Sequence, residues 1–216
     1  MPSHRTILLT GFGPFPGVEH NASAMIVKKI EQVAARRLAN HTIVTHVLPT
    51  QWQGLAERLS DLVHTTRPFM ALHFGVSCRA RGFEIEAVAR NMAIPHPDAH
   101  GCWPRSRHLA PSSPLSLTTK LPAREAVDAL RRLGLNARLS RDAGGYLCNA
   151  AYYHSLLQSR GHQGHDALFV HIPTNLRLSS CSHRAPRLPT SGMSEVQAIH
   201  GSLRLIEVLL HAERHP

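Results

Sequence analysis

Between Thr6 and Leu48 the chain reads TILLTGFGPFPGVEHNASAMIVKKIEQVAARRLANHTIVTHVL, and its periodicity changes twice. Thr6–Thr10 is a short apolar run stopping at Gly11, with the length and flanks of a buried strand. From Asn21 onward the apolar residues fall at Ala24, Ile26, Val27, Ile30, Val33 and Ala34. That is the spacing of one helix face, with Asn21 or Ser23 as its cap. Thr42–Leu48 is β-branched and predicts a second strand.

The rest of the chain repeats this alternation. Thr50 predicts the cap of a helix reaching about His64, with Leu55, Leu59 and Leu62 on one face. Phe69–Phe74 predicts a third strand stopping at Gly75, and Phe83–Ala89 a fourth. Residues 91–121 are rich in Pro and Ser without periodicity, either an ordered functional loop or a partly mobile one. Then come a helix over Ala123–Leu133 stopped by Gly134, a strand at about Ala137–Leu139 and a helix over Cys148–Gln158. A strand over Ala167–Ile172 and a closing helix over Ser194–Ala212 follow. Strands alternating with helices predict an α/β fold, one domain over residues 1–216. Its form is a three-layer sandwich, a twisted and largely parallel sheet with helices on both faces. Function in such folds gathers at the carboxyl ends of the strands.

Composition narrows the function classes. No stretch approaches the ~18 apolar residues of a membrane span. The first apolar run, about four residues, falls short of the roughly 7–15 of a signal-peptide core, so a cytoplasmic protein is expected. The net charge of +10 suggests nucleic acid, yet only Lys28, Lys29 and Lys120 are lysines among the 24 basic residues. The arginines are spread along the chain, clustering only at Arg177–Arg187, and no nucleic-acid-binding motif accompanies them. Nucleic acid is therefore not the expected partner. Cys78, Cys102, Cys148 and Cys181 sit far apart in sequence, which predicts reduced thiols. His96, His100 and Cys102 form the best local metal cluster, but Pro95 and Pro97 exclude the helix that would align them. No metal or cofactor is expected.

The segment Ser140-Arg-Asp-Ala-Gly-Gly-Tyr-Leu-Cys-Asn149 runs from a strand into a helix. Cys148 falls in the first helical turn, where unpaired N–H groups and the positive end of the dipole stabilise a thiolate. Gly144 and Gly145 let the backbone turn sharply, and N–H groups near Gly145 and Tyr146 are oxyanion candidates. A thiol nucleophile needs a base and a group to orient it. His171, in Phe169-Val-His-Ile-Pro173, lies at a strand end 23 residues after Cys148. Phe83-Glu-Ile-Glu-Ala-Val-Ala-Arg-Asn91 puts Glu84 and Glu86 on one side of a strand, and Glu86 on a buried strand needs a cationic partner. Thr10-Gly-Phe-Gly-Pro-Phe-Pro-Gly17 begins like a dinucleotide loop, but Pro14 and Pro16 remove the required N–H groups. Phe12 and Phe15 in it are either core anchors or an apolar binding wall.

These stretches, with Leu72-His-Phe-Gly75, resemble the pyroglutamyl peptidase I family of cysteine peptidases over nearly the whole chain. The resemblance implies hydrolytic removal of an N-terminal pyroglutamyl residue from peptides, with Cys148 as nucleophile, His171 as base and Glu86 as orienter. It also implies that Phe12 and Phe15 sandwich the lactam ring while the backbone near Val76 pairs with it, and it implies a homo-oligomer, dimer or tetramer. The family usually has a basic residue where Ala87 stands and an Arg where Ala93 stands. Arg79, Arg81 and Arg90 are the candidate replacements. Arg90, four residues from Glu86 on an alternating strand, should share its face and supply an oxyanion cation or pair with Glu84 or Glu86. The rival readings are a non-catalytic relative that binds a small lactam or amide, and a basic nucleic-acid binder.

Overall fold

A computed structural model describes residues 5–38, 40–161, 164–176 and 192–213. The opening stretch folds as its periodicity predicts: β1 (Arg5–Phe12), α1 (Ala22–Arg37) and β2 (His41–Leu48) form a parallel βαβ unit. Asn21 caps α1, its side chain accepting the Ser23 N–H. Then follow α2 (Leu55–Thr66), β3 (Met70–Ser77), β4 (Phe83–Glu86), β5 (Val88–Arg90) and β6 (Ser116–Thr118). The chain continues through α3 (Ala123–Arg132), β7 (Ala137–Ser140), α4 (Leu147–Gln158), β8 (Asp166–Pro173) and α5 (Glu195–Glu213).

The main sheet has the order β2-β1-β3-β8-β4-β7, and only the β8–β4 pairing is antiparallel. Its two faces bury separate cores. One packs Ile26, Ile30, Val127, Leu130, Ile206 and Leu209 from α1, α3 and α5 against Leu72, Phe74 and Val170. The other packs Leu59, Leu147, Ala151 and Tyr152 from α2 and α4 against Leu8, Ala71 and Phe169. The predicted layering of helices on both faces is thus present. Among the described residues, no helix is long and apolar enough to cross a membrane.

Three expectations are corrected. Thr50 does not cap α2: its hydroxyl donates to the Gly13 carbonyl (3.0 Å), and α2 begins after Gly54, whose φ of 75° suits glycine. The third strand runs through Gly75 to Ser77. The predicted strand Phe83–Ala89 breaks at Ala87, which bonds Ser140 O through its N–H and Thr119 N through its carbonyl. Beyond the break, Val88–Arg90 leaves the main sheet and pairs antiparallel with β6. Residues 91–121 form an ordered loop that contributes β6 and is fastened at several points, the Asn91 side chain donating to Ala110 O (2.7 Å) among them. The arginine cluster at Arg177–Arg187, within an Arg-rich loop expected over about 174–192, falls with Cys181 among residues 177–191, outside the described residues.

Candidate active site

The carboxyl ends of β3 and β8 and the first turn of α4 meet on one face of the sheet. Gly75 and His171 are neighbours across the parallel β3–β8 pair. Cys148 comes down on this pair from α4, and Gly75 is what lets it approach. A Cβ built on Gly75 would lie 2.8 Å from Cys148 Sγ and 2.7 Å from Phe169 Cζ. Gly75, expected to stop the strand, instead makes room for the thiol.

His171 is 7% exposed and holds Glu86 Oε1 at 2.8 Å through Nδ1, leaving Nε2 free to face the thiol. Burial alone would favour the neutral imidazole. It is outweighed by hydrogen bonds to Cys148 and Glu86 and by their charges, which push the His171 pKa up to about 10. These partners favour the charged form of the ring. Glu86 is wholly buried, and its second oxygen has no hydrogen-bond partner among the described residues. Its charge is answered chiefly by His171. Phe169 supports the imidazole at 4.8 Å between ring centroids and is itself enclosed by Phe12, Tyr152 and His73.

The α4 N-terminus has no side-chain cap. Its first-turn N–H groups thus remain available to an anion at the thiol. The turn is held in place by the residue after Cys148. Asn149 is buried and accepts the Arg90 N–H (2.9 Å) while donating to Arg90 O (2.8 Å) and Met92 O (3.0 Å). The loop closes the other side: Ile94 N–H donates to Gly145 O (2.8 Å) and the Tyr146 hydroxyl to Pro97 O (3.1 Å). Burial, with the negative charges of Asp98 and Cys148 nearby, pushes the Tyr146 phenol up to about 12, so it stays a donor. Asn149 stands in the motif beside Cys148, but its clamp depends on the β5 excursion and no spacing in the sequence signals it.

The remaining expected residues divide. Phe12 is 3% exposed and stacks into the core, whereas Phe15 is half-buried, so the two aromatics are not an equivalent pair. Val76 is half-buried at the end of β3, opposite Ile172. Arg79 and Arg81 are exposed in the turn that follows β3. Arg90 does not share the face of Glu86, because the Ala87 break puts it on the small sheet, where it is exposed. Neither acid pairs with it: Glu86 takes His171, and Glu84 takes Arg138 (2.7 Å). Ala93 is buried and lines a cavity of about 310 Å³ between α2, α4 and residues 104–111.

Among the described residues, His96, His100 and Cys102 do not gather their ligand atoms together. Asp98 organises that loop instead, accepting the N–H groups of Trp52, His100 and Cys102. Burial opposes its charge, but these three donors hold its carboxyl below the usual range. Among the described residues, ligand-type atoms gather only at Glu84, Glu86 and His171, within 4.8 Å of one another. There Glu84 Oε1 is bound by Arg138 and Glu86 Oε1 by His171. Cys78, Cys102 and Cys148 are free thiols.

The family model for pyroglutamyl peptidase matches residues 5–203. The pyrrolidone-carboxylate peptidase of Gloeobacter violaceus is 31% identical over 212 residues, covering 96% of each chain. That of Pseudomonas fluorescens is 32% identical over 174 residues, covering 78% of each. A solved mutant of the pyrrolidone carboxyl peptidase of the hyperthermophile Pyrococcus furiosus superposes with a TM-score of 0.83 at 26% identity. The superposition covers 96% of this chain and 99% of that one.

Proposed function

This chain belongs to the pyroglutamyl peptidase family, and we propose that it hydrolyses the bond after an N-terminal pyroglutamyl residue by a Cys148–His171–Glu86 triad. The observation that carries the reading is the alignment itself: a carboxylate, an imidazolium and a thiol in hydrogen-bonded series at one sheet end.

The Cys148 thiolate attacks the pyroglutamyl carbonyl carbon, and the carbonyl π electrons move to oxygen. The oxyanion is stabilised by N–H groups of the α4 first turn, with Gly145 and Tyr146 as the nearest backbone contributors. His171 Nε2–H then protonates the departing amine as the C–N bond breaks, leaving a thioester on Cys148. The now neutral imidazole takes a proton from water, whose oxygen attacks the thioester. Collapse expels the thiolate, releases pyroglutamate and restores the imidazolium. Glu86 holds the ring and its charge throughout.

Pyroglutamate is a neutral lactam without a free α-amino group, so it must be recognised by shape and backbone hydrogen bonds. Phe15 and Phe12 supply the apolar wall, and the backbone at Val76 supplies the lactam's hydrogen-bond partners. The test compares release of aminocoumarin from pyroglutamyl, prolyl and glutamyl amides, with and without iodoacetamide. Alkylation-sensitive cleavage of the pyroglutamyl amide alone is expected. Equal cleavage of the prolyl amide would refute the lactam recognition, and insensitivity to the alkylator would refute the thiol mechanism.

A further inference from the structure

His171 stands beside two carboxylates, and the proposed mechanism uses only one. Across the antiparallel β8–β4 pair the residue directly opposite His171 is Glu84, and across β4–β7 the residue opposite Glu84 is Arg138. Imidazole, carboxylate and guanidinium therefore form one row over three adjacent strands. Oxygens of Glu84 and Glu86 and a nitrogen of His171 all lie within 4.8 Å of one another. Yet of the two carboxylates the imidazole bonds only Glu86 (2.8 Å), while Glu84 Oε1 accepts two hydrogen bonds from Arg138, from Nε at 2.9 Å and Nη2 at 2.7 Å. The Glu84 side chain is 8% exposed and that of Arg138 60%.

We propose that Arg138 is a positioning residue for the reaction: by holding Glu84 it leaves Glu86 as the one carboxylate that turns His171 toward Cys148. The proposal rests on the triad reading above. A guanidinium that binds a carboxylate through two N–H groups fixes its direction as well as its charge. A carboxylate that lost this partner while kept from water would turn to the cation beside it, the His171 imidazolium. The imidazole N–H would then be divided between Glu84 and Glu86, which stand two residues apart on β4. Only the bond to Glu86 is the one seen to present Nε2 to the thiol. Arg138 touches neither Cys148 nor the imidazole in the hydrogen bonds described, so its effect runs through Glu84.

The test is a double-mutant cycle read by kcat and KM separately on a pyroglutamyl amide. Arg138→Met should lower kcat by about tenfold, the loss expected when the wrong partner is preferred by a single factor of ten. KM should stay within about twofold, since orientation of the base does not hold the ground-state substrate. Adding Glu84→Gln removes the competing charge, so the double variant should recover most of the lost kcat, and Arg138→Lys should keep most of it. A double variant that folds but is no more active than Arg138→Met would overturn the proposal, as would an Arg138→Met enzyme of wild-type kcat. Should Arg138→Met not fold, a tenfold loss in both Arg138→Lys and the double variant would overturn it equally. Glu86→Gln is assayed alongside: if it is fully active, the triad reading has failed rather than the role of Arg138.

Discussion

Replacing Gly75 with Ala tests how tightly the thiol is seated. The new methyl carbon would lie 2.8 Å from Cys148 Sγ, 2.7 Å from Phe169 Cζ and 3.0 Å from Phe169 Cε1. Non-bonded heavy atoms settle at about 3.5–4.0 Å, so one side must yield by about 1 Å. Phe169 has little room to retreat: it is fully buried and enclosed by Phe12, His73, Tyr152 and His171. The sulfur, on a half-buried side chain at a helix start, is the softer neighbour. A 1 Å misplacement of a reacting group costs on the order of 100-fold, about 2.7 kcal/mol of transition-state stabilisation. Overpacking should also cost about 1–3 kcal/mol of stability, a fall in Tm that leaves a folded enzyme. The assay is kcat and KM on a pyroglutamyl amide together with a thermal melt. The expected result is a kcat loss near 100-fold at nearly constant KM. A folded Gly75→Ala enzyme within about threefold of wild-type kcat would refute the reasoning, because the thiol would then have room to spare.

The other predictions concern the base, the clamp and the buried histidines. His171→Ala should lose more turnover than Glu86→Gln, which should itself fall by up to about 10⁴-fold, since the base moves protons while the acid only orients it. Steady-state kinetics of the two variants decides this, and a silent Glu86→Gln would contradict it. Asn149→Ala removes three hydrogen bonds and strands the Arg90 N–H, so it should lower stability by about 2–4 kcal/mol in urea unfolding. A loss below about 1 kcal/mol would show that the clamp does not hold β5 to α4. Burial, with the nearby His165 adding to it, lowers the His73 pKa to about 3, and burial lowers that of His165 to about 4. Both bind protons in the unfolded chain below their ordinary value near 6.5 but not in the folded one. Their contribution is thus lost as pH falls, at about 1.4 kcal/mol per pH unit for each between roughly 6 and 4. His171 has the opposite sign, its contribution present below 6.5 and lost as pH rises through about 10. Urea unfolding at a series of pH values checks this, and a His165→Gln variant should show an acid slope shallower by one proton.

What was legible in the sequence followed from periodicity and punctuation. Asn21 announced α1, the apolar runs around Leu8, Leu72 and Val170 announced central strands, and Gly144-Gly145 before Cys148 announced a strand-to-helix turn. The pairing of Glu86 rather than Glu84 with His171 also agrees with the register implied by the motif. What was not legible depends on contacts between distant segments. Nothing local in Phe83–Ala89 reveals that Ala87 bonds both Ser140 and Thr119 and so sends β5 out of the sheet. That single break removes Arg90 from the face of Glu86 and brings it under Asn149 instead. The aperiodic loop conceals a strand of three residues, too short to carry a pattern, and its order comes from side chains such as Asn91 and Asp98. Gly75 reads as a stop signal in one dimension and proves to be a gap for sulfur in three. The partner of Glu84 is Arg138, not Arg90, and only the strand order puts it there.

The central claim is that Cys148 is the nucleophile, and the most direct measurement is the initial rate of pyroglutamyl-amide hydrolysis by single cysteine variants. Cys78→Ser and Cys102→Ser should retain the wild-type rate, since these thiols have no place in the site. Cys148→Ala should abolish turnover while keeping the wild-type melting temperature to within a few degrees, because the side chain is half-buried and small. Wild-type turnover by a folded Cys148→Ala protein would contradict the account.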